Sequence, residues 1–292
     1  MCDDNTVADN EAYLKRMKGL SRRDFTTLAA GAGAAIILPA PANAMAVEAS
    51  NVTIQTPDGE ADAYFVHPKN GKHAGVIIWP DIMGIRPAFR QMGERLAQSG
   101  YSVLVVNPYY RTAKGDVIEE GESFSDPKVR ERLLPHARSL SPETTVTDGK
   151  AFVEFLDKSG QVDKKRKIGV TGYCMTGSFA MRCAAAMPDR IGAIGSFHGG
   201  GLATDEPTSP HLLVPQMKAP ALIAIAENDD ERDPEAKVKL REAYDAAGLP
   251  AKIEVYKGAM HGWCPPDSRV YNHTQAEHAW SHLLTLFADA LA

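Results

Sequence analysis

From residue 75 onward the chain repeats one unit, a short apolar run followed by a stretch whose apolar positions recur with helical spacing. The runs are 75–79, 102–107, 167–171, 191–197, 221–226 and 252–256, and the helical stretches include 88–99, 142–158, 175–187, 234–247 and a closing 274–291. Strands that are apolar at successive positions need cover on both faces, which a parallel sheet flanked by helices provides. Right-handed crossovers then wind the helices onto the two sides. Ahead of this series, 52–56 and 61–67 alternate in polarity around Pro57-Asp58-Gly59, the pattern of an antiparallel hairpin. The expectation is an α/β fold, a mostly parallel twisted sheet of about eight strands with helices on both faces. Residues 45–292 form its single domain. The charged, Gly- and Pro-rich segment 110–141, with a helix at 127–137, is an excursion over the strand ends that can wall or cover a pocket.

Residues 1–44 stand apart. Ser21-Arg22-Arg23-Asp24-Phe25 precedes a short Ala/Gly-rich apolar stretch, 28–38, and then Ala42-Asn43-Ala44. A basic region, a short apolar region and a small-x-small site in that order describe a secretory signal, and the paired arginines indicate the twin-arginine export machinery. The expected location is the periplasm or another exported compartment, with cleavage after Ala44. The apolar stretch is too short for a bilayer, which takes about 20 residues. A net charge of −5 provides no basic surface for nucleic acid. Beyond Ala44 three cysteines remain, Cys174, Cys183 and Cys264, so at least one thiol is unpaired within a monomer.

One of these thiols sits where chemistry is expected. Ile168 to Gly177 runs from an apolar strand through Gly172-Tyr173-Cys174-Met175-Thr176-Gly177 into a helix. Small residues around a nucleophile at a strand-to-helix turn let strand and helix pack closely while the side chain is presented at the bend. The helix start adds free N–H groups and a positive dipole end, both favourable to a thiolate. Two candidate partners follow in the order nucleophile, acid, histidine. Run 221–226 leads into Glu227-Asn228-Asp229-Asp230, and run 252–256 leads into Lys257-Gly258-Ala259-Met260-His261. Both lie just past the C-terminal end of a strand, where α/β sheets collect their sites. Cys264 has no such turn and reads as an incidental thiol or as half of a Cys183–Cys264 bridge. His198-Gly199-Gly200-Gly201 reads as a glycine-rich strand-end loop beside the pocket.

With these motifs the mature chain resembles the dienelactone hydrolase family over nearly its whole length. The resemblance implies an α/β-hydrolase fold, no cofactor, and a Cys174–Asp229–His261 triad acting on a lactone or carboxylic ester. It places the acid at Asp229 in preference to Asp230 or Asp233. Trp79-Pro80-Asp81-Ile82-Met83-Gly84 is similar to a family segment whose acidic residue, usually Glu, controls ionisation of the cysteine. By the same resemblance the backbone N–H groups of Ile82 and Met175 form the oxyanion hole. Asn107-Pro108-Tyr109-Tyr110-Arg111 is similar to a segment whose arginine binds a substrate carboxylate, and an ion-pairing role is the alternative for Arg111. The chain departs from the family pattern at Asp81, at Thr176 and at Pro265, where an arginine is usual. A broad carboxylesterase, or a thiol-based redox or ligand-binding protein on the same scaffold, are the competing readings.

Overall fold

The computed structural model describes residues 4–18 and 37–292. The paired arginines and most of the apolar stretch of the expected signal lie outside the described residues. Eight strands form one sheet in the order β1-β2-β4-β3-β5-β6-β7-β8. The hairpin expected from its polarity alternation is β1 (Val47–Thr56) against β2 (Gly59–Pro68), antiparallel and joined by the tight turn at Asp58. From β3 (Ala74–Trp79) and β4 (Tyr101–Val106) through β5 (Ile168–Tyr173), β6 (Ile191–Phe197), β7 (Ala221–Ala226) and β8 (Ala251–Tyr256) the neighbours pair in parallel. Every residue of β3, β4 and β5 is buried, which is why these strands read as continuous apolar runs with no alternation.

Odd and even positions of those strands enter two separate cores. Ile77, Trp79, Leu104 and Val106 join Phe152 and Leu156 of α4 (Pro142–Lys158), Phe179 and Met181 of α5 (Gly177–Ala186), and Leu240 and Tyr244 of α7 (Pro234–Ala246). Val76, Ile78, Val103 and Val105 join Phe89 and Leu96 of α2 (Pro87–Gln98) with Leu283 and Phe287 of α8 (His273–Ala290). Alternation by two along a strand therefore divides the chain into two helical layers. The cysteines follow the same division, with Cys183 in the first core and Cys264 in the second, on opposite faces of the sheet. Cys174, Cys183 and Cys264 are all buried free thiols, so the bridge held open above is not formed.

Segment 110–141 carries the expected helix, α3 (Pro127–Arg138), capped by Asp126, whose carboxylate accepts from the Lys128 amide at 2.8 Å. Its Val129 and Leu133, with Phe124, pack on Ile82, Met83 and Met175 in a third, smaller apolar cluster. The excursion is thus a wall over the ends of β3 and β5. Two further helices were not legible as periodic stretches. These are α1 (Asp4–Lys18) and the short α6 (Glu227–Arg232), which begins directly at the end of β7.

Candidate active site

The nucleophile candidate sits at a turn that its neighbours force. β5 ends at Tyr173, Cys174–Thr176 make one 3₁₀ turn, and α5 begins at Gly177. Cys174 has φ of 59°, a left-handed conformation that L-residues adopt at a cost and that persists only where the surroundings impose it. Close approach explains the small residues. A Cβ on Gly172 would stand 1.9 Å from the Thr176 carbonyl oxygen, and one on Gly177 would stand 2.4 Å from Ser196 Oγ. Thr176 ties the turn together. Its hydroxyl accepts from the Tyr173 amide at 2.8 Å and lies 2.8 Å from the Trp79 carbonyl and 3.0 Å from the Tyr173 carbonyl, to either of which it can donate.

Asp229 and His261 arrive at the same place from β7 and β8. Asp229 lies in the first turn of α6, and its Oδ2 is 2.6 Å from His261 Nδ1. Asn228 fixes the histidine loop by accepting the His261 amide on Oδ1 at 2.8 Å. His261 is buried, and burial alone would favour its neutral ring. The charge of Asp229, then that of Cys174, and hydrogen bonds to both outweigh that desolvation and raise its pKa to about 10. With Nδ1 taken by Asp229, the bond to Cys174 falls to the other ring nitrogen. Cys174 and His261 are only 1% and 3% exposed.

The third wall is the loop after β3. Asp81 is buried, accepts the Met83 amide on Oδ1 at 2.9 Å, and receives two hydrogen bonds from Arg86 at 2.7 and 3.0 Å. Burial drives the Asp81 pKa upward, Arg86 opposes it, and the nearby Cys174 adds to the rise. Arg86 is itself nearly inaccessible and also pairs with Asp267 at 2.6 Å, which stabilises its charge further. Ile82 and Met175 are brought together by Tyr109. Its hydroxyl donates to the Ile82 carbonyl at 2.8 Å and contacts Met175 Sδ at 3.8 Å.

Arg111 is not brought to this group. Its guanidinium makes paired bonds to Asp148 at 2.6 and 2.8 Å and holds Asp58 at 2.6 Å, linking α4 to the β1–β2 turn. The ion-pairing alternative accounts for these contacts. Two residues that do belong to the site had no clear signal in the sequence. Arg86 is five positions after Asp81 in an irregular loop. His198, noted only as part of a glycine-rich loop, has φ of 41° and a ring centred 5.2 Å from that of His261. Among the described residues neither ring nitrogen of His198 has a hydrogen-bond partner, and burial, then the proximity of His261, pushes its pKa well below the usual histidine range. It is a neutral ring packed beside His261.

Comparisons with known proteins agree with this fold. The model of the "Dienelactone hydrolase family" matches residues 61–291. A carboxymethylenebutenolidase of Rhodococcus opacus is 25% identical over 202 residues, 68% of this chain and 74% of that protein. Protein usf of Aquifex pyrophilus is 24% identical over 231 residues, 78% of this chain and 93% of that protein. Among solved structures, a dienelactone hydrolase-like promiscuous phosphotriesterase from metagenomic libraries superposes with a TM-score of 0.69 at 16% identity. That superposition covers 85% of this chain and all of the other. Matched from β2 to the last helix, and built as an eight-stranded α/β-hydrolase, the chain belongs to the dienelactone hydrolase family.

Proposed function

We propose that this hydrolase cleaves a carboxylic ester or lactone by acyl transfer through Cys174. The observation that carries the reading is the meeting of three strand ends at one point: Cys174 on its strained turn, His261 coupled to it, and Asp229 at 2.6 Å from His261. A histidine held between a carboxylate and a thiol favours the imidazolium–thiolate pair, which makes the sulfur nucleophilic. Sγ attacks the acyl carbon, and the carbonyl electrons move to oxygen. The N–H groups of Ile82 and Met175 stabilise that oxyanion, and one such donor contributes about 2.7–4 kcal/mol in comparable sites. Collapse breaks the acyl C–O bond, and His261 gives its proton to the departing oxygen. Water then attacks the thioester, passing a proton to His261, and the C–S bond breaks to release the acid. Asp229 keeps its charge and orients the ring. Asp81, fixed by Arg86 next to Ile82, supplies a buried negative charge that influences ionisation of Cys174.

The test is turnover of 4-nitrophenyl acetate and of a panel of simple and unsaturated lactones. Cys174→Ala should retain the far-UV spectrum and lose hydrolysis, and mass spectrometry should trap an acyl group on Cys174 in the parent. Unchanged turnover in Cys174→Ala would sink the mechanism. Equal use of aryl esters and lactones would mark a broad carboxylesterase, and reversible thiol oxidation without ester turnover would mark a sensor.

The order of Arg22-Arg23, the apolar stretch and Ala42-Asn43-Ala44 supports export by the twin-arginine machinery. No described helix is long and apolar enough to cross a membrane. Arg22→Lys with Arg23→Lys should leave the protein in the cytoplasmic fraction, and unchanged export would remove this part of the proposal.

A further inference from the structure

Helix α1 is polar, and neither large core contains any residue of it. What it rests on is the mouth of the site. Val7 packs against the apolar cluster of Ile82, Phe124 and Leu133, beside Met175. Asp9 accepts a hydrogen bond from Asn228 Nδ2 at 3.3 Å and forms an ion pair with Arg232. Asn10 Nδ2 donates to the backbone carbonyl of His261 at 3.1 Å. Thr6 is 3% exposed, and Arg232 Nη1 lies 3.4 Å from its hydroxyl. These attachments reach three different walls: the loop after β3, the acid-bearing α6 and the histidine loop. A helix held by all three spans the opening between them, above a cysteine that is 1% exposed.

The geometry points to α1 as an intramolecular occupant of the substrate's place, with the Asp9 carboxylate standing where Arg232 and Asn228 would bind an anionic group of the substrate. The inference rests on Cys174 being the acylated group. Asn228 presents its amide nitrogen to Asp9 while its oxygen holds the His261 amide, so an anion there lies beside the triad. Arg232 is three residues after Asp229 on the same short helix, and a planar guanidinium suits a carboxylate. Arg111, the other candidate for that task, is engaged by Asp58 and Asp148. The contacts of α1 are few and partly exposed, the kind that hold a tethered segment at high effective concentration and lose it once the tether is cut. Residues 42–46, which include the Ala42-Asn43-Ala44 site, are mostly exposed. Cleavage there would turn the occupant into a dissociable peptide, so the uncut chain would be latent.

The full chain is compared with Val7→Asp and with Asp9→Ala/Asn10→Ala, which loosen α1 from its apolar and polar sides independently. Two rates are measured: alkylation of Cys174 by iodoacetamide, located by mass spectrometry, and turnover of 4-nitrophenyl acetate. Cys183, buried in the first core, reports retention of the fold in the same spectra. Both variants should alkylate at Cys174 at least tenfold faster and hydrolyse correspondingly faster. Equal alkylation in all three chains would overturn the occlusion. Faster alkylation with no turnover anywhere would keep the occlusion and defeat the hydrolase reading. In the Asp9→Ala/Asn10→Ala background, Arg232→Gln should lower the preference for 4-nitrophenyl hemisuccinate over the acetate about tenfold. An unchanged preference would overturn the assignment of Arg232.

Discussion

Two carboxylates approach Cys174 from either side of β5, Asp81 buried and Asp229 partly buried, and their partners make them different devices. Asp229, after β7, is paired with His261, a group whose proton can leave and return. Asp81, after β3, is paired with Arg86, a group that stays charged across the working range and is held from its other side by Asp267. The first pair can move a proton during a reaction, whereas the second can only set a field. Similar bond lengths thus carry different chemistry, and the basic partner decides which. Distances alone would not separate the two.

The strongest way to break this comparison is to remove the titrating partner. His261→Gln should reduce kcat by about 10⁴-fold, since general acid–base catalysis and activation of the nucleophile are lost together. A loss under tenfold would mean that no proton passes through this ring. The ring also carries a pH signature. Its folded pKa of about 10 lies above the usual 6.5 of a free histidine, so the protonated ring contributes stability that is complete below pH 6.5. That contribution fades as pH rises through 10. Urea titrations from pH 6 to 10.5 should show a fall in the parent that His261→Gln lacks. Cys174→Ser should lower the ring pKa, read by NMR, because the thiolate charge that helps to raise it is gone.

Next in size are the two acids. Asp229→Asn should cost about 10³-fold in kcat, because the amide favours the wrong ring tautomer. Asp81→Asn should cost much less in kcat while altering the pH dependence of alkylation at Cys174. Equal losses would erase the distinction. The fixed pair should show itself in stability. Arg86→Met leaves Asp81 buried without its cation, and loss of one partner from a buried pair costs about 3 kcal/mol or more, measurable in urea. Unchanged stability would mean that Asp81 is neutral when its cation is absent.

The same contrast marks what the sequence could and could not show. Strands β3 to β7 are visible because full or nearly full burial makes them apolar along most of their length, and the helices of both layers because one-sided burial gives them a period. Strand β8, at the sheet edge, is only partly buried and alternates apolar residues with Lys252 and Glu254. The triad candidates were visible because each follows such a strand within a few residues. Arg86, Asp267 and His198 were not. Arg86 and Asp267 meet across 181 residues through loops with no period, and His198 owes its place to a positive-φ corner that leaves no compositional trace. Helix α1 leaves no such pattern, since its contacts, mostly polar with Val7 the apolar exception, are specific to one mouth. Burial leaves a pattern along a chain, whereas a loop-to-loop contact does not.

The smallest expected effect tests whether the elbow is held to the fixed side. Thr176 Oγ1 lies 2.8 Å from the carbonyl of Trp79, two residues before Asp81, so one hydroxyl links the turn that bears Cys174 to the wall that bears the static charge. The same hydroxyl satisfies the Tyr173 amide. Thr176→Val keeps the shape, removes both bonds, and strands a buried amide and carbonyl, a change worth about 1–3 kcal/mol. If the elbow is positioned by this link, kcat should fall severalfold with KM little changed, because misplacement of a nucleophile acts on the reacting geometry. Thr176→Ser, which restores the hydroxyl without the methyl, should recover most of the rate. Recovery of stability without recovery of rate would show that the hydroxyl only holds the fold. Recovery of both would make Thr176 the strut between the proton-moving and the charge-setting halves of the site.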